Sequence, residues 1–137
     1  MVWIERIERN MITKGFTNLL QIFPSADMSK TAEFYERIGF KAVSYLESFE
    51  PHICLYRDQI EIVLTKSNKE YIEPNREIHG YGYDAYFITG NQEEMEEDFK
   101  KLGVKIIRYL STTDYNNKEF VFEDIDRRWI AVGNKNN

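Results

Sequence analysis

Short apolar segments alternate along the chain with two longer stretches of helical periodicity. In those stretches the apolar residues are spaced three and four positions apart, which predicts two amphipathic helices with one buried stripe each. The segments around them are rich in β-branched and aromatic residues, which favours strands. The pattern therefore predicts an α+β protein. The predicted stripes are Met28, Thr31, Ala32, Tyr35 and Ile38 in the first helix, and Met95, Phe99 and Leu102 in the second.

The two helices belong to an internal repeat. When the sequence is shifted by 64 residues, 19–46 aligns with 83–110 without a gap, with six identities in 28 positions. Gly39 aligns with Gly103, and each stands where a helix is expected to end in a left-handed residue. Each copy contains a strand, the helix and three further strands, a βαβββ unit. The predicted strands are 19–23, 40–46, 53–56 and 60–64 in copy one, and 83–88, 104–110, 119–122 and 129–132 in copy two.

The repeat also sets the predicted domain boundaries. We expect an N-terminal extension followed by a single domain. The boundaries are 1–15 for the extension and 16–137 for the domain, with repeat one at 16–66, a linker at 67–81 and repeat two at 82–133. Trp3, Ile4, Ile7 and Met11 form a short amphipathic stripe in the extension, which predicts a helix packed on the domain or on a partner chain.

Polar residues mark the starts of the two helices. Either Asp27 or Ser29 is expected to cap the first helix. Asn91 is expected to cap the second, with Glu94 three residues later in the position of a capping box.

Composition and charge exclude several classes of function. The chain has 137 residues, a net charge of −5 and a pI of about 5.1, without a basic stripe, so we expect no nucleic-acid partner. No apolar run reaches the length of a membrane span, and no signal peptide is recognisable, so a cytoplasmic location without membrane association is expected. The single cysteine, Cys54, lies in an apolar strand and is predicted to be a buried, inert thiol.

The segment 24–40 carries a family resemblance. Asp27, the Phe34-Tyr35 pair seven residues later and the closing Gly39-Phe40 resemble the first-helix motif of the glyoxalase/bleomycin-resistance group. This group belongs to the vicinal-oxygen-chelate superfamily, and the motif looks closer to bleomycin-resistance proteins than to glyoxalase I. The resemblance extends over 16–133. It implies curved mixed sheets, built from two βαβββ repeats, around a cavity.

The resemblance also locates the positions at which metal enzymes of the superfamily place their ligands. The corresponding residues here are Leu20, Glu61 or Val63, Asp84 and Ala131. Leucine and alanine cannot bind a metal, and transition-metal sites usually need three or four His, Cys or carboxylate ligands. The only two histidines, His52 and His79, fall outside these positions. We therefore expect no metal and no cofactor.

Strand alternation in the register of these positions predicts the residues that face the cavity. They are Leu20, Ile22, Glu61, Val63, Asp84, Tyr86, Trp129 and Ala131. Trp129 and Tyr86 either stack on a planar or cationic ligand or simply fill the cavity. Glu61 and Asp84 either pair with an amine or point to solvent.

Two functions are compatible with this cavity. The first is metal-independent binding of a small molecule, as in bleomycin-resistance relatives that sequester an antibiotic or other toxic compound. The alternative is a metal-dependent enzyme of the superfamily, a lyase, isomerase or dioxygenase. Metal-free acid–base chemistry by Glu61 or Asp84 is a third possibility. Because relatives usually build their pockets across two chains, we also expect a homodimer.

Overall fold

The computed structural model describes residues 14–136, so the predicted helix at Trp3, Ile4, Ile7 and Met11 lies outside the described residues. The described chain forms eight strands and three helices. In chain order they are β1 (Gln21–Ser25), α1 (Met28–Arg37), β2 (Lys41–Tyr45), β3 (His52–Arg57), β4 (Ile60–Lys66), α2 (Asn75–His79), β5 (Ala85–Ile88), α3 (Gln92–Lys101), β6 (Lys105–Thr112), β7 (Asn117–Glu123) and β8 (Trp129–Lys135).

The strands form two four-stranded mixed sheets with the same topology. Sheet one has the order β1-β4-β3-β2, and sheet two has the order β5-β8-β7-β6. In each sheet the first strand pairs in parallel with the fourth, and the remaining pairs are antiparallel. The predicted α+β fold of two βαβββ units is therefore confirmed.

One hydrophobic core joins the two units. α1 and α3 lie between the sheets, and each sheet contributes the face that contacts them, here called its inner face. The ring of Phe34 on α1 stacks on that of Phe122 in sheet two, with 6.4 Å between the ring centroids. The ring centroids of Phe40 and Phe87 lie 6.3 Å apart. Burial of these aromatic rings is a large apolar contribution to stability. The opposite face of each sheet is called its outer face.

The helix ends agree with the prediction at three of four positions. The Asp27 side chain accepts a hydrogen bond from the Lys30 backbone N–H at 3.2 Å, so Asp27 caps α1. Gly39 and Gly103 adopt left-handed φ values of 101° and 76° after their helices. The capping box at Asn91 is wrong, because the Asn91 side chain makes no hydrogen bond to the first turn of α3.

Two further differences concern repeat two. Leu102, predicted in the buried stripe of α3, is 43% exposed. Glu96 is buried instead. Its carboxylate accepts a hydrogen bond from the Leu110 backbone N–H, which has no partner on β7 because the register of β6 is irregular there. The predicted linker contains the short helix α2, which the polar sequence did not indicate. None of the helices within residues 14–136 is long and apolar enough to cross a membrane.

Candidate ligand-binding site

The outer face of sheet two carries a buried carboxylate. Strand alternation on β7 turns Phe120 and Phe122 to the core, and it turns Glu119 and Val121 to the outer face. The Glu119 residue is only 3% exposed. A buried carboxylate is costly unless hydrogen-bond donors satisfy its oxygens.

Three tyrosines supply those donors. The Tyr115 hydroxyl donates to Glu119 Oε1 at 2.7 Å, the Tyr86 hydroxyl donates to the same oxygen at 3.1 Å, and the Tyr83 hydroxyl donates to Oε2 at 2.9 Å. Asn117 Nδ2 donates in turn to the Tyr86 hydroxyl oxygen at 3.0 Å. We call these five residues the Glu119 network. These phenols thus satisfy both oxygens of the carboxylate.

The network holds its phenols in the protonated form. Burial, together with the adjacent Glu119 carboxylate, which opposes a second negative charge, raises the pKa of Tyr86 to about 12, although the hydrogen bond from Asn117 lowers it. Burial and the same carboxylate also raise the pKa of Tyr83 and of Tyr115. The three hydroxyls therefore remain hydrogen-bond donors at neutral pH.

A glycine on the neighbouring strand makes room for the network. Gly133 on β8 pairs with Glu119, and a Cβ at Gly133 would lie 2.4 Å from the Lys118 carbonyl oxygen and 2.6 Å from the Glu119 Cβ. Real Cβ atoms do not approach other atoms this closely. Glycine is therefore required where β7 carries the buried carboxylate past β8.

Beside the network lies a cleft of about 610 Å³, which we call the aromatic cleft. This volume is within the range of small-molecule pockets. Its walls come from the segment around α2, from β6, from the β6–β7 loop and from the start of β8. The lining residues are Arg76, Glu77, Gly80, Tyr81, Gly82, Tyr83, Arg108, Tyr115 and Trp129.

One wall of the aromatic cleft is built on Trp129. The Arg76 guanidinium lies over its ring at 4.1 Å from the centroid, and the indole Nε1–H donates to Glu123 Oε1 at 3.1 Å. Arg76 also donates to the Arg127 carbonyl at 2.7 Å and forms an ion pair with Glu123 at 3.5 Å. These contacts hold the indole and the first guanidinium of the cleft in place.

The predicted site residue Asp84 accepts hydrogen bonds from two backbone N–H groups. Its Oδ1 accepts the Asn75 backbone N–H at 2.9 Å, and its Oδ2 accepts the Trp129 backbone N–H at 3.0 Å. The first bond fixes the start of α2 against sheet two, and the second joins the starts of β5 and β8. Both carboxylate oxygens of Asp84 are thus engaged with backbone donors.

The metal that the superfamily's enzymes hold does not fit the residues found here. At the positions that the resemblance implies stand Leu20, Glu61 or Val63, the engaged carboxylate of Asp84, and the buried methyl of Ala131. Within residues 14–136, no three His, Cys, Asp or Glu side chains lie close enough together to hold a metal ion.

The eight predicted site residues fall into two groups, one on each sheet. On sheet one, Ile22 pairs with Val63, Ile22 is 56% exposed and Leu20, just before β1, is 43% exposed. Glu61, two residues before Val63 on β4, lines a groove of about 310 Å³ that Tyr86 also lines.

On sheet two, Tyr86 pairs with Ala131, and Trp129 lies in the aromatic cleft. Asp84 supports that cleft through its backbone contacts. The structure thus brings the sheet-two residues together, and it places Glu61 beside Tyr86.

The residues that sequence reasoning missed are Glu119, Tyr83, Tyr115, Arg76 and Arg108. Glu119 had a usable signal, because alternation with Phe120 and Phe122 places it on the outer face. Tyr115 and Arg76 lie in segments predicted as a loop and a linker, where periodicity does not indicate which way a side chain points. Arg108 lies beside a bulge, where the alternation changes phase.

The fold can now be assigned. Two βαβββ units that share one core through their helices form the vicinal-oxygen-chelate fold, as the segment 24–40 implied. No protein-family model matches the sequence, and no curated protein sequence matches it significantly.

Solved structures with this fold match nearly the whole chain. A bleomycin resistance determinant encoded on the transposon Tn5 has a TM-score of 0.69 and 16% identity, covering 88% of this chain and 98% of its own. A bleomycin-binding protein complexed with bleomycin has a TM-score of 0.67 and 15% identity, covering 89% and 100%. The fosfomycin resistance protein FosX from Listeria monocytogenes has a TM-score of 0.65 and 18% identity, covering 87% and 91%. At these identities the likeness establishes the fold.

Proposed function

We propose that this chain is a cytoplasmic, metal-independent protein that binds a small molecule in the aromatic cleft and sequesters it, the ligand being an antibiotic or other toxic compound. The observation that carries the proposal is the Glu119 network. A buried carboxylate held by three tyrosines makes a rigid polar floor beside a cleft with aromatic walls. Such a combination of apolar walls and a few fixed polar groups is typical of ligand pockets.

The residues at the family's metal positions support metal independence. Two of the four positions are occupied by Leu20 and Ala131, and the oxygens of Asp84 already accept backbone hydrogen bonds. Sequestration requires affinity alone, so a site without metal ligands is sufficient for it. Two solved structures of this fold, a bleomycin-binding protein complexed with bleomycin and a bleomycin resistance determinant, are consistent with such a role.

A thermal-shift screen tests the proposal. The panel contains bleomycin-type antibiotics, aromatic acids, aromatic cations and the ions Zn²⁺, Ni²⁺ and Mn²⁺. A bound ligand raises the melting temperature by mass action, so we expect at least one organic compound to raise it. Trp129→Leu should reduce that increase, whereas Tyr71→Phe, at an exposed tyrosine outside the aromatic cleft, should preserve it.

Metal content is measured on the same purified protein. We expect less than stoichiometric zinc, nickel, manganese and iron. Stoichiometric metal that resists dialysis, or an increase in melting temperature with a metal ion alone, would favour the metal-dependent enzyme instead.

We further propose a homodimer, and the outer face of sheet one supports it. Ile22, Val63, Cys54 and Val43 form an apolar row across the four strands of this face. Ile22 is 56% exposed in the single chain, and an apolar face of this kind is typical of an interface. Light scattering coupled to size exclusion should give twice the chain mass of 16.4 kDa, and Ile22→Glu should shift the protein towards the monomer.

A further inference from the structure

We propose that the ligand of the aromatic cleft is an organic anion with a planar aromatic body, whose acid group binds to Arg108. This inference rests on the proposed function, because it names the class of molecule that the same cleft takes. It depends on three features of the cleft: the direction in which Arg108 points, its available donors, and the positive charges on the aromatic walls.

A bulge in β6 turns Arg108 towards the cleft. Ile106 pairs with the core residue Phe122, and the next pair along the strands joins Arg108 to Val121 on the outer face. Between these two pairs β6 advances by two residues while β7 advances by one, which is a β-bulge. Without the extra residue, alternation would turn Arg108 towards the core, so the bulge redirects a charged side chain to the outer face.

The register then places Arg108 in one row with two predicted site residues. Across the outer face of sheet two, Tyr86 pairs with Ala131, Ala131 with Val121, and Val121 with Arg108. The guanidinium lies over the Tyr83 ring, 5.3 Å from its centroid. Arg108 thus lies at the edge of the Glu119 network and lines the aromatic cleft.

The donors of Arg108 are available to a ligand. Within residues 14–136, Arg108 forms no ion pair with a carboxylate and its guanidinium donates to no protein acceptor. Arg76, the other guanidinium of the cleft, is already engaged by Glu123 and the Arg127 carbonyl. A planar guanidinium with unoccupied donors binds carboxylate, phosphate or sulfonate through two parallel hydrogen bonds.

The charge around the aromatic rings disfavours a cationic ligand. A guanidinium already lies over Tyr83 and another over Trp129, so the aromatic faces on which a ligand cation would stack are already covered by protein cations. The Glu119 carboxylate offers little compensation, because it is 3% exposed and already accepts three phenol hydrogen bonds. The aromatic rings remain suited to a flat apolar body, and Arg108 to its anionic group.

Three compounds with one ring system but different charge test this inference. Naphthalene-2-carboxylate, 2-naphthamide and 2-naphthylmethylammonium are titrated by thermal shift and calorimetry against the full chain. We expect the carboxylate to bind most tightly and Arg108→Gln to weaken it roughly 10- to 100-fold, the usual effect of losing hydrogen bonds to a charged group. Arg108→Lys keeps the positive charge but not the two parallel donors of the guanidinium, so it should give an intermediate loss of affinity.

Arg37→Gln is the matched control. Arg37 also lies over an aromatic ring, that of Phe34 at 5.6 Å, but it does not line the aromatic cleft, so its variant should bind the carboxylate as the unmodified protein does. Tighter binding of the ammonium compound, or carboxylate binding unaffected by Arg108→Gln, would overturn the inference while leaving a binding protein. If neither these compounds nor the organic compounds of the thermal-shift screen bind, the proposed function is wrong as well.

Discussion

Among residues 14–136, the hydrogen-bond donors to the Glu119 carboxylate are all tyrosine hydroxyl groups. Hydrogen bonds to an ionised acceptor are roughly twice as strong as neutral ones, and three of them reach this carboxylate from Tyr83, Tyr86 and Tyr115. The three tyrosines lie before β5, within β5 and in the β6–β7 loop, so the carboxylate also connects these segments. A single side chain therefore contributes to both the stability of sheet two and the shape of the aromatic cleft.

Replacing Glu119 by glutamine should show this contribution. The Glu119→Gln side chain keeps the size but presents an amide NH₂ where an oxygen accepted a phenol, so at least one phenol loses its acceptor. We expect the free energy of unfolding to fall by about 1–3 kcal/mol. Urea denaturation measures it, with Glu97→Gln at an exposed position of α3 as the control. Equal losses in the two variants would contradict the role assigned to Glu119.

The raised pKa of Tyr86 predicts a loss of stability at high pH. An unfolded tyrosine has a pKa near 10, and the folded pKa of Tyr86 is about 12. The folded state thus holds the proton more tightly, so the stabilisation is fully present below about pH 10 and is lost as the pH rises towards 12.

Melting temperatures measured from pH 9 to pH 12 test this dependence. Tyr86→Phe should show a shallower decrease above pH 10 than the unmodified protein, although it is less stable at neutral pH. Tyr71→Phe, at a 60% exposed tyrosine, should follow the unmodified profile. Identical profiles for all three proteins would mean that Tyr86 does not contribute to the pH dependence.

At the scale of elements, sheet two departs from regular geometry where the candidate site is built. β6 contains two register shifts against β7, whereas the strand pairs of sheet one keep one continuous register. The first shift redirects Arg108, and the Leu110 N–H at the second is satisfied by Glu96 of α3. Bulges commonly lie next to functional sites because they re-aim side chains.

The contact of β7 with β8 gives a prediction at this scale. Gly133→Ala places a methyl group against the Lys118 carbonyl and Glu119, both of which belong to the paired strand β7 and cannot move aside alone. We expect a loss of about 1–3 kcal/mol, the usual effect of overpacking. Gly90→Ala, where no atom lies within 4 Å of the added Cβ, should leave the denaturation midpoint nearly unchanged.

At the scale of the whole molecule, the turn between β7 and β8 in repeat two forms buried hydrogen bonds with repeat one. The buried Arg128 donates to Asp124 at 3.0 Å and also to the Pro24 carbonyl of β1. The Tyr35 hydroxyl of α1 donates to the same Asp124 oxygen at 2.7 Å. Besides the shared core, these buried polar contacts connect the two units.

Removing the cation from this turn should destabilise the whole domain. Arg128→Met leaves the Asp124 carboxylate buried without its ion pair, and breaking such a pair typically costs about 3–5 kcal/mol. Arg127→Met is the neighbouring control, since its pair with Glu77 is exposed to solvent and should contribute little to stability. If Arg128→Met lost no more than this control, the turn would not hold the two units together.

The sequence by itself determined the eight strands, the two long helices and most of their inner faces. The spacing of residues such as Tyr35 and Phe99 is encoded locally, because a helix or strand repeats its direction every few residues. Gly39 and Gly103 could be assigned for the same reason, since left-handed backbone is favoured by glycine at the residue itself. The repeat supplied the order of the elements, and the resemblance at 24–40 supplied the fold.

Only the tertiary structure decided which outer-face side chains meet. Tyr83, Tyr86, Tyr115 and Glu119 come from separate segments, and their convergence depends on strand order and register, which no local pattern contains. Asp84 is a clear case, because its position predicted a cavity acid and its neighbours in space made it a backbone anchor. Arg108 is another, because one extra residue in β6 reverses the face that alternation would assign.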